Sequence, residues 1–225
     1  MTNIIKTVNL SKSFFLKKNL NILKKISVEI KKGKLLALLG PSGSGKSTFL
    51  HMIALLDQPS SGEIYFEGKK TSLMNDFEKD EMRSKKISIV YQQNNLLNDF
   101  TSLENVAIAM ICSGKNKKFA KSAAKEILKK VGLSKRLDHF PSDLSVGEQQ
   151  RVAIARAAIN KPLLILADEP TGSLDQSSSG EIFNLFLKFK SQNRSIIYAT
   201  HNRELADKAD YKLKIIDGNI RRSNE

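Results

Sequence analysis

The sequence predicts an α/β fold with a mainly parallel sheet, and two kinds of observation support this prediction. Two continuous apolar runs, Leu35–Leu39 and residues 163–167, are typical of strands that are buried on both faces. Segments with helical spacing follow both runs, and another strand is predicted over residues 195–200. Strands that alternate with helices form a parallel sheet with helices on its faces. The 225 residues are enough for one large domain with a substantial core.

At the amino terminus, residues 3–30 predict an antiparallel β part that precedes the parallel sheet. Two short strand patterns, IIKTVNL and ILKKISVEI, flank a polar turn at residues 17–21. Phe14 and Phe15 lie between them. An aromatic ring here can stack on a purine base or belong to the core, and the residues alone favour the core. A strand, a helix and a strand are then predicted at residues 63–68, 71–86 and 87–91.

The loop after Leu35–Leu39 has the pattern of a phosphate-binding loop. Residues 40–47 fit G-x-x-x-x-G-K-[ST], and a helical pattern begins directly after them. Glycines let backbone N–H groups approach phosphate oxygens, and the amino end of the helix adds a partial positive charge. Lys46 can reach the β- and γ-phosphates, and the Ser47 hydroxyl can hold Mg²⁺. The predicted nucleotide-binding residues of this loop are Gly40, Pro41, Ser42, Gly43, Ser44, Gly45, Lys46, Ser47 and Thr48.

Four further candidate residues stand directly after predicted strands. They are Gln92, Asp168, Glu169 and His201. Parallel sheets bind ligands at the carboxyl ends of their strands, which favours a functional interpretation. Gln92 can ligate Mg²⁺ or simply belong to a loop, Asp168 can hold Mg²⁺ through water, and Glu169 can polarise an attacking water. The alternatives are a solvated loop for the two carboxylates and an ordinary surface or core position for His201.

Residues 101–140 change in character and indicate a helical insertion. Thr101 and Glu104 form a capping-box pattern that begins one helix, and residues 119–131 form a second amphipathic segment. The predicted organisation is a single domain, residues 1–225, with a core at 1–91 and 151–225 and a helical subdomain at about 92–150.

A second helix start suited to an anion lies at residues 144–151, LSVGEQQR. Ser145 and Gly147 precede a clear helical pattern, so they are placed at the amino end of a helix. The alternative is an ordinary helix cap, which Ser145 alone would satisfy. The eight-residue string is much more specific than a cap.

Composition and charge narrow the classes of function. The chain has 37 basic and 23 acidic residues, a net charge of +14. Lysine greatly outnumbers arginine, whose bidentate fork suits base and phosphate recognition, so nucleic acid is a weaker interpretation than a solvated surface with a bias toward a membrane. No apolar run is long enough to span a membrane, and the amino terminus lacks the apolar region of a signal peptide. Cys112, the only cysteine, excludes an intrachain disulfide, fits a cytosolic location, and is expected to be buried and unreactive.

Together these motifs resemble those of the nucleotide-binding subunits of ATP-binding-cassette (ABC) transporters, over essentially the full length of the chain. GPSGSGKS is similar to the Walker A motif, LSVGEQQR to the signature motif and LLILADEP to Walker B. Gln92 matches the Q-loop glutamine, residues 173–175 the D-loop, and His201 the switch histidine. Longer stretches such as LADEPTGSLD resemble the lipoprotein-releasing, macrolide-exporting and cell-division ATPases. Residues 54–57 and 95–106 are most similar to the lipoprotein-releasing subunit.

The resemblance implies a P-loop NTPase core of the RecA-like type that binds ATP and Mg²⁺ and hydrolyses ATP to drive transport. Two copies would enclose two ATP molecules, with each γ-phosphate between the Walker A loop of one copy and Ser145 and Gly147 of the other. Glu169 would act as general base, and His201 would contact the γ-phosphate. The remaining implied roles are adenine stacking by Phe14, ATP binding by Glu148, and magnesium binding by Ser47, Gln92 and Asp168.

The implied partners are a second copy of the chain and separately encoded integral membrane subunits, with no nucleic acid. The chain would be peripheral, on the cytoplasmic face of the inner membrane. A cleft between residues 92–99 and the helical insertion is expected to receive a short partner helix, against Leu96, Leu97 and Val106.

Three residues depart from the family pattern, and several functions stay open. Phe14 stands where tyrosine is usual, Val146 replaces a glycine of the signature motif, and Asn98 stands where proline is common. Within the transporter class, the alternatives are a macrolide or peptide exporter, a cell-division complex and a solute importer. Outside it, they are a soluble ABC ATPase acting on DNA or ribosomes, and a small-molecule kinase. The single cassette, its compact insertion and the signature string disfavour these last two.

Overall fold

A six-stranded sheet forms the centre of the computed structural model, which describes residues 2–15, 19–191 and 193–223. All neighbouring strands of this sheet are parallel except the last pair. In spatial order the strands are β7 (Ile87–Val90), β8 (Leu164–Asp168), β9 (Ser195–Ala199), β4 (Leu35–Leu39), β10 (Tyr211–Ile216) and β11 (Asn219–Ser223). The predicted α/β class with a mainly parallel sheet is therefore confirmed.

The last two strands of this sheet form a hairpin that the sequence analysis did not predict. Asp217 and Gly218 connect β10 to β11, and both have positive φ angles, 48° and 77°. An Asp-Gly pair between two strand patterns is a strong local signal for a hairpin, because both residues tolerate left-handed backbone conformations.

A second sheet is antiparallel and comes mostly from the amino-terminal part of the chain, as predicted. Its strands are β1 (Asn3–Phe15), β2 (Asn19–Ile26), β3 (Glu29–Lys31), β5 (Ser61–Phe66) and β6 (Lys69–Lys70). The strand β1 pairs with β2, β3 and β5, and is longer than the predicted pattern. Part of the turn predicted at residues 17–21 lies outside the described residues.

Seven α-helices connect and cover the sheets in the described part of the chain. They are α1 (Lys46–Ile53), α2 (Asp76–Lys85), α3 (Ser102–Cys112), α4 (Lys117–Lys130), α5 (Val146–Ala158), α6 (Gln176–Phe189) and α7 (Arg203–Asp207). The predicted capping box is present, because the Thr101 side chain accepts from the Glu104 N–H while the Glu104 carboxylate accepts from the Thr101 N–H. Among the described residues, no helix is long and apolar enough to cross a membrane.

The six-stranded sheet separates two apolar cores because its central strands are buried on both faces. In β4, Leu35 and Ala37 belong to the core shared with α3 to α6, whereas Leu36 and Leu38 belong to the core shared with α1 and the antiparallel sheet. Strands β8 and β9 alternate in the same way. Core packing on both sides therefore fixes the positions of the strand ends.

Two expectations about burial were wrong. Phe14 and Phe15 are 41% and 82% exposed, because the end of β1 extends beyond its pairing with β5 and pairs only with β2. Cys112 is exposed rather than buried. It is the last residue of α3, and this helix buries Val106, Ala107 and Met110 instead.

Candidate active site

Four neighbouring strands bring the candidate residues to one edge of the parallel sheet. Gly40 follows β4, Asp168 ends β8, His201 comes shortly after β9, and Gln92 comes shortly after β7. These strands are parallel and adjacent, so their carboxyl ends lie side by side. Sheets of this type bind ligands at this edge.

The loop between β4 and α1 requires glycine at two positions. A Cβ on Gly40 would lie 2.4 Å from the carbonyl oxygen of Ile215, and a Cβ on Gly45 would lie 2.8 Å from Leu23 Cδ2. Gly45 is the N-cap of α1, has a left-handed backbone, and supplies no side-chain cap. The first N–H groups of α1 are therefore not capped by a side chain, which is the arrangement that suits an anion.

The other residues predicted for this loop differ in exposure. Pro41, Ser42, Gly43 and Ser47 are exposed, and Thr48 is half-buried. The Ser44 hydroxyl is buried and has no hydrogen-bond partner within the described part of the chain. A buried hydroxyl without a partner marks a place where a polar ligand group would be stabilised.

Lys46, Glu169 and His201 form one connected group. Lys46 is only 5% exposed, and its Nζ donates to the carbonyl oxygens of Gly40 and Pro41, at 2.9 and 3.0 Å. The same Nζ lies 3.5 Å from Glu169 Oε1. His201 Nδ1 lies 3.2 Å from Glu169 Oε2, and the His201 side chain is 69% exposed. Glu169 therefore lies between a buried cation and a histidine that faces solvent.

Glu169 also has an unusual backbone conformation. Its φ angle is +46°, a left-handed value that is uncommon for a residue other than glycine. Its N–H donates to Ala199 of the neighbouring strand at 3.2 Å, and its carbonyl oxygen accepts from the Gly172 N–H at 3.0 Å. Such conformations concentrate at functional sites, where the surrounding structure holds them.

Asp168 and Gln92 flank Glu169 and offer oxygen atoms that suit Mg²⁺. Asp168 Oδ1 is buried and has no hydrogen-bond partner among the described residues. The Gln92 amide lies against Gly172, where a Cβ would be 2.8 Å from Gln92 Nε2. Burial raises the pKa of Tyr91, and the negative charge of Asp168 raises it further. Tyr91 and Gly172 belong to no motif that the sequence had marked as functional.

No group of three or more His, Cys, Asp and Glu side chains that could hold a metal occurs in the part of the chain that the structure describes. The expected magnesium ligands are instead a hydroxyl, an amide oxygen and one carboxylate. A site of this kind fits Mg²⁺, which is usually held by one or two protein groups together with phosphate oxygens.

Two open clefts meet at His201. One, of about 420 Å³, is lined by Glu169 and Thr171 together with residues of α7. The other, of about 570 Å³, is lined by Gly40, Pro41 and the basic side chains of the α7–β10 region. His201 lines both clefts. It can therefore contact a molecule bound at the loop and the Glu169 carboxylate.

The amino end of α5 lies apart from the clefts at His201 and has a complete capping box. The Ser145 hydroxyl accepts from the Glu148 N–H at 3.3 Å, and the Ser145 N–H donates to Glu148 Oε2 at 2.9 Å. Arg136 Nε donates to Glu148 Oε1 at 2.8 Å, and this bond is the main reason that the pKa of Glu148 is lowered to about 2. Ser145 is exposed, and neither cleft at His201 is lined by Ser145 or Gly147.

Gly147 faces the start of α6. A Cβ on Gly147 would have Ser178 Oγ as its nearest neighbour, at 3.9 Å. Asp175 caps α6 by accepting from the Ser178 N–H. The segment from Glu169 to α6 therefore connects the strand edge to the start of α5.

Phe14 is accompanied by a lysine that the sequence analysis did not identify. Lys12 Nζ lies 4.8 Å from the centroid of the Phe14 ring. The same Nζ donates to Asp57 Oδ1 at 2.7 Å and to the carbonyl oxygen of Gln58 at 2.8 Å. One face of the exposed ring is thus occupied by a held cation.

The cleft that was expected to receive a partner helix does not have the predicted lining residues. Val106 is fully buried, and Leu96 packs against the core, so of the three named residues only Leu97 is exposed. A different cleft, of about 290 Å³, lies beside the end of α3 and is lined by apolar side chains such as Leu56 and Ile89.

Known proteins are similar to this chain over most of its length. The sequence model of the family described as "ABC transporter" matches residues 23–172. The "Lipoprotein-releasing system ATP-binding protein LolD" of Rickettsia bellii is 48% identical over 199 residues, which cover 87% of both chains. The protein of the same name from Aquifex aeolicus is 41% identical and covers 98% of this chain and 97% of its own. The solved dimer of the ATP-binding cassette MJ0796, bound to ADP and Pi, superposes with a TM-score of 0.90 at 36% identity, covering 97% of each chain.

Proposed function

The chain belongs to the ABC transporter family, whose ATPases couple ATP hydrolysis to transport, and we propose that it powers the release of lipoproteins from the inner membrane toward the outer membrane. The observation that carries the catalytic part of the proposal is the connected group of Lys46, Glu169 and His201 at the strand edge. The similarity to the LolD proteins over most of the chain supports the proposal that lipoproteins are the substrate.

In the proposed reaction, Glu169 accepts a proton from the attacking water. The water oxygen forms a bond to the γ-phosphorus while the bond from this phosphorus to the bridging oxygen of ADP breaks. Lys46 exchanges its carbonyl partners and Glu169 for phosphate oxygens, which frees the carboxylate to orient the water. His201 holds Glu169 through Nδ1 and contacts the γ-phosphate with its other nitrogen.

Ser47 and Gln92 would hold Mg²⁺ directly, and Asp168 would hold it through a water. The buried and unpartnered Asp168 Oδ1 supports this assignment. When bound, Mg²⁺ neutralises part of the phosphate charge. Phe14 presents its free face to adenine, and the remaining loop residues surround the phosphates with backbone N–H groups.

A second copy of the chain completes each nucleotide site in this proposal. Ser145 and Gly147 lie at an exposed helix end that lines neither cleft at His201. A head-to-tail dimer would place this end of one copy opposite the loop of the other. The solved MJ0796 structure, which is dimeric and bound to ADP and Pi, supports a dimer of this chain. We assign Glu148 to the cap that orients Ser145, because its carboxylate is taken up by Arg136 and the Ser145 N–H.

The proposed membrane partners are separately encoded subunits, which would hold the chain at the cytoplasmic face of the inner membrane. The 290 Å³ cleft beside α3 suits a short apolar helix, since Leu56 and Ile89 line it together with Ala109 and Cys112. Exposed Leu97, in the loop after Gln92, is a second proposed contact for the membrane subunits. We propose no nucleic-acid partner.

Depletion of the protein in its host tests the proposed function. Outer-membrane lipoproteins should accumulate in the inner membrane, as measured by fractionation and immunoblotting. Wild-type protein should restore their location, whereas Glu169→Gln should not. Sensitivity to macrolides or filamentous growth, with lipoproteins correctly placed, would contradict lipoprotein release and favour an exporter or a cell-division complex.

A further inference from the structure

The helix α4 carries an unbalanced positive charge that its own stability does not require. Its 14 residues include six lysines and one glutamate. Ala120, Ala124, Ile127 and Leu128 are buried against the core. The other face is exposed and consists mainly of lysine side chains: Lys117, Lys118, Lys125, Lys129 and Lys130.

The two lysines in the last turn suit the helix dipole, but the positions of the others oppose helix stability in two ways. Lys117 and Lys118 lie in the first turn, which contains no acidic residue, and the helix dipole disfavours cations there. Lys117, Lys121, Lys125 and Lys129 follow one another at intervals of four residues, an arrangement in which like charges repel along one face. A helix that keeps such a pattern departs from the local rules of stability, and such departures often mark functional surfaces.

Very few acidic side chains compensate this charge. Within the described residues, Lys121 pairs with Glu104 at 3.3 Å, and the other five α4 lysines have no ion-pair partner. Phe119, at the start of the same helix, and Ile111, near the end of α3, are both exposed.

The helix α2 shows that an exposed helix in this chain is not cationic by default. It has four acidic and three basic residues, with acidic side chains in the first turn and basic ones in the last. Its basic residues Lys79, Arg83 and Lys85 pair with Asp76, Asp80 and Glu81. A general excess of lysine in the sequence therefore does not explain α4.

We propose that the exposed face of α4 docks onto the anionic headgroups of a lipid bilayer. Lysines suit this partner because an ammonium is a point charge that interacts with a diffuse negative surface, and exposed Phe119 can enter the interface between headgroups and acyl chains. Nucleic acid is the weaker occupant, because α4 has no arginine for bidentate contacts. The docking goes beyond the proposed function, since it requires neither ATP nor the membrane subunits.

Sedimentation of the full chain with lipid vesicles tests the docking directly. Vesicles in which about one third of the phosphatidylcholine is replaced by anionic phosphatidylglycerol should bind the protein, and pure phosphatidylcholine should not. Each lysine near an anionic surface contributes about fivefold to partitioning, so combining Lys118→Gln, Lys125→Gln and Lys129→Gln should weaken binding about 100-fold. Changing the same three lysines to arginine should preserve binding.

A matched control removes the same charge elsewhere. Lys24, Lys31 and Lys69 are exposed and lie in three strands of the antiparallel sheet, so their joint replacement by glutamine should change vesicle binding by only a few fold. The free energy of unfolding of the α4 variant should not fall, because repulsion along the helix is relieved. Equal losses in the two triple variants, binding to pure phosphatidylcholine, absence of binding to anionic vesicles, or tighter α4-dependent binding to single-stranded RNA would overturn the proposal.

Discussion

The two helix ends that the sequence marks as anion sites use their backbone N–H groups in opposite ways. The first turn of α1 follows Gly45, which supplies no side-chain cap. The first turn of α5 follows Ser145, whose side chain joins with Glu148 in a complete capping box. The start of α1 is therefore open to a ligand, whereas the start of α5 already has partners from its own chain.

The charge and the burial of the residues at the two helix ends also differ, and they favour an anion at the same end as the capping does. Lys46 places a buried cation beside the α1 end, whereas Glu148 places a carboxylate beside the exposed α5 end. The charge and burial of these side chains therefore favour an anion more at the α1 end than at the α5 end. This difference is consistent with the proposed dimer, in which the α5 end of one copy would contact a phosphate held by the α1 loop of the other.

The prediction with the largest expected effect tests whether ATP hydrolysis depends on the residues beside the amino end of α1. Glu169→Gln removes the proposed base but keeps the size of the side chain, so kcat for ATP hydrolysis should fall by about 10²–10⁴-fold while ATP still binds. Glu204→Gln is a matched control, because Glu204 lines the same cleft as Glu169. Its kcat should change little. Near-normal turnover by Glu169→Gln would remove Glu169 from the mechanism.

Mixing two inactive variants tests whether both helix ends act on one nucleotide. Lys46→Ala damages the α1 end, and Ser145→Arg blocks the α5 end with a large cation. In a head-to-tail dimer, a mixed pair has one site with both defects and one intact site. Random pairing makes about half of the dimers mixed, so the mixture should recover about a quarter of wild-type ATPase activity if the sites act independently. Activity no higher than that of either variant alone would argue against the composite site.

The strand edge of the site could be predicted from the sequence because the signals there are local. The apolar runs of β4 and β8, followed by Gly40 and Asp168, determine the strand ends without reference to distant residues. The link from Lys46 to Glu169 could not be predicted, because it depends on how β8 and β4 lie on either side of β9. The assignments of the individual site residues stay predictions.

The wrong expectations concern residues whose surroundings are set by distant parts of the chain. Phe14 and Phe15 are apolar, but they are exposed because β1 extends past the end of β5. Val106 was predicted to line the partner cleft, but its position on α3 buries its side chain in the core. Helical periodicity limits which residues share a face, but which face is buried depends on what packs against the helix.

The prediction with the smallest expected effect tests whether Glu148 only stabilises the cap of α5 or also influences nucleotide binding. Glu148→Gln removes the charge that accepts from Arg136 and the Ser145 N–H, and should lower the free energy of unfolding by about 0.5–1 kcal/mol at pH 7. The pKa of Glu148 is lowered from 4.5 to about 2 in the folded chain, so its charge stabilises the fold above pH 4.5. This contribution is lost as the pH falls through that interval, and the difference between wild type and variant in urea unfolding should shrink accordingly.

The capping box at α3 provides the matched control for this last prediction. Glu104 accepts from the Thr101 N–H and lies near Lys121, as Glu148 accepts from the Ser145 N–H and from Arg136. Glu104→Gln should lower stability by a similar amount because the two caps are chemically alike. Only Glu148→Gln should alter ATP-driven dimerisation in size-exclusion chromatography, because it removes a negative charge next to the phosphate that Ser145 is proposed to contact. Dimerisation should become more favourable by a few fold. If both variants changed dimerisation equally, the α5 end would be an ordinary helix cap, and the contrast between the two ends would lose its functional meaning.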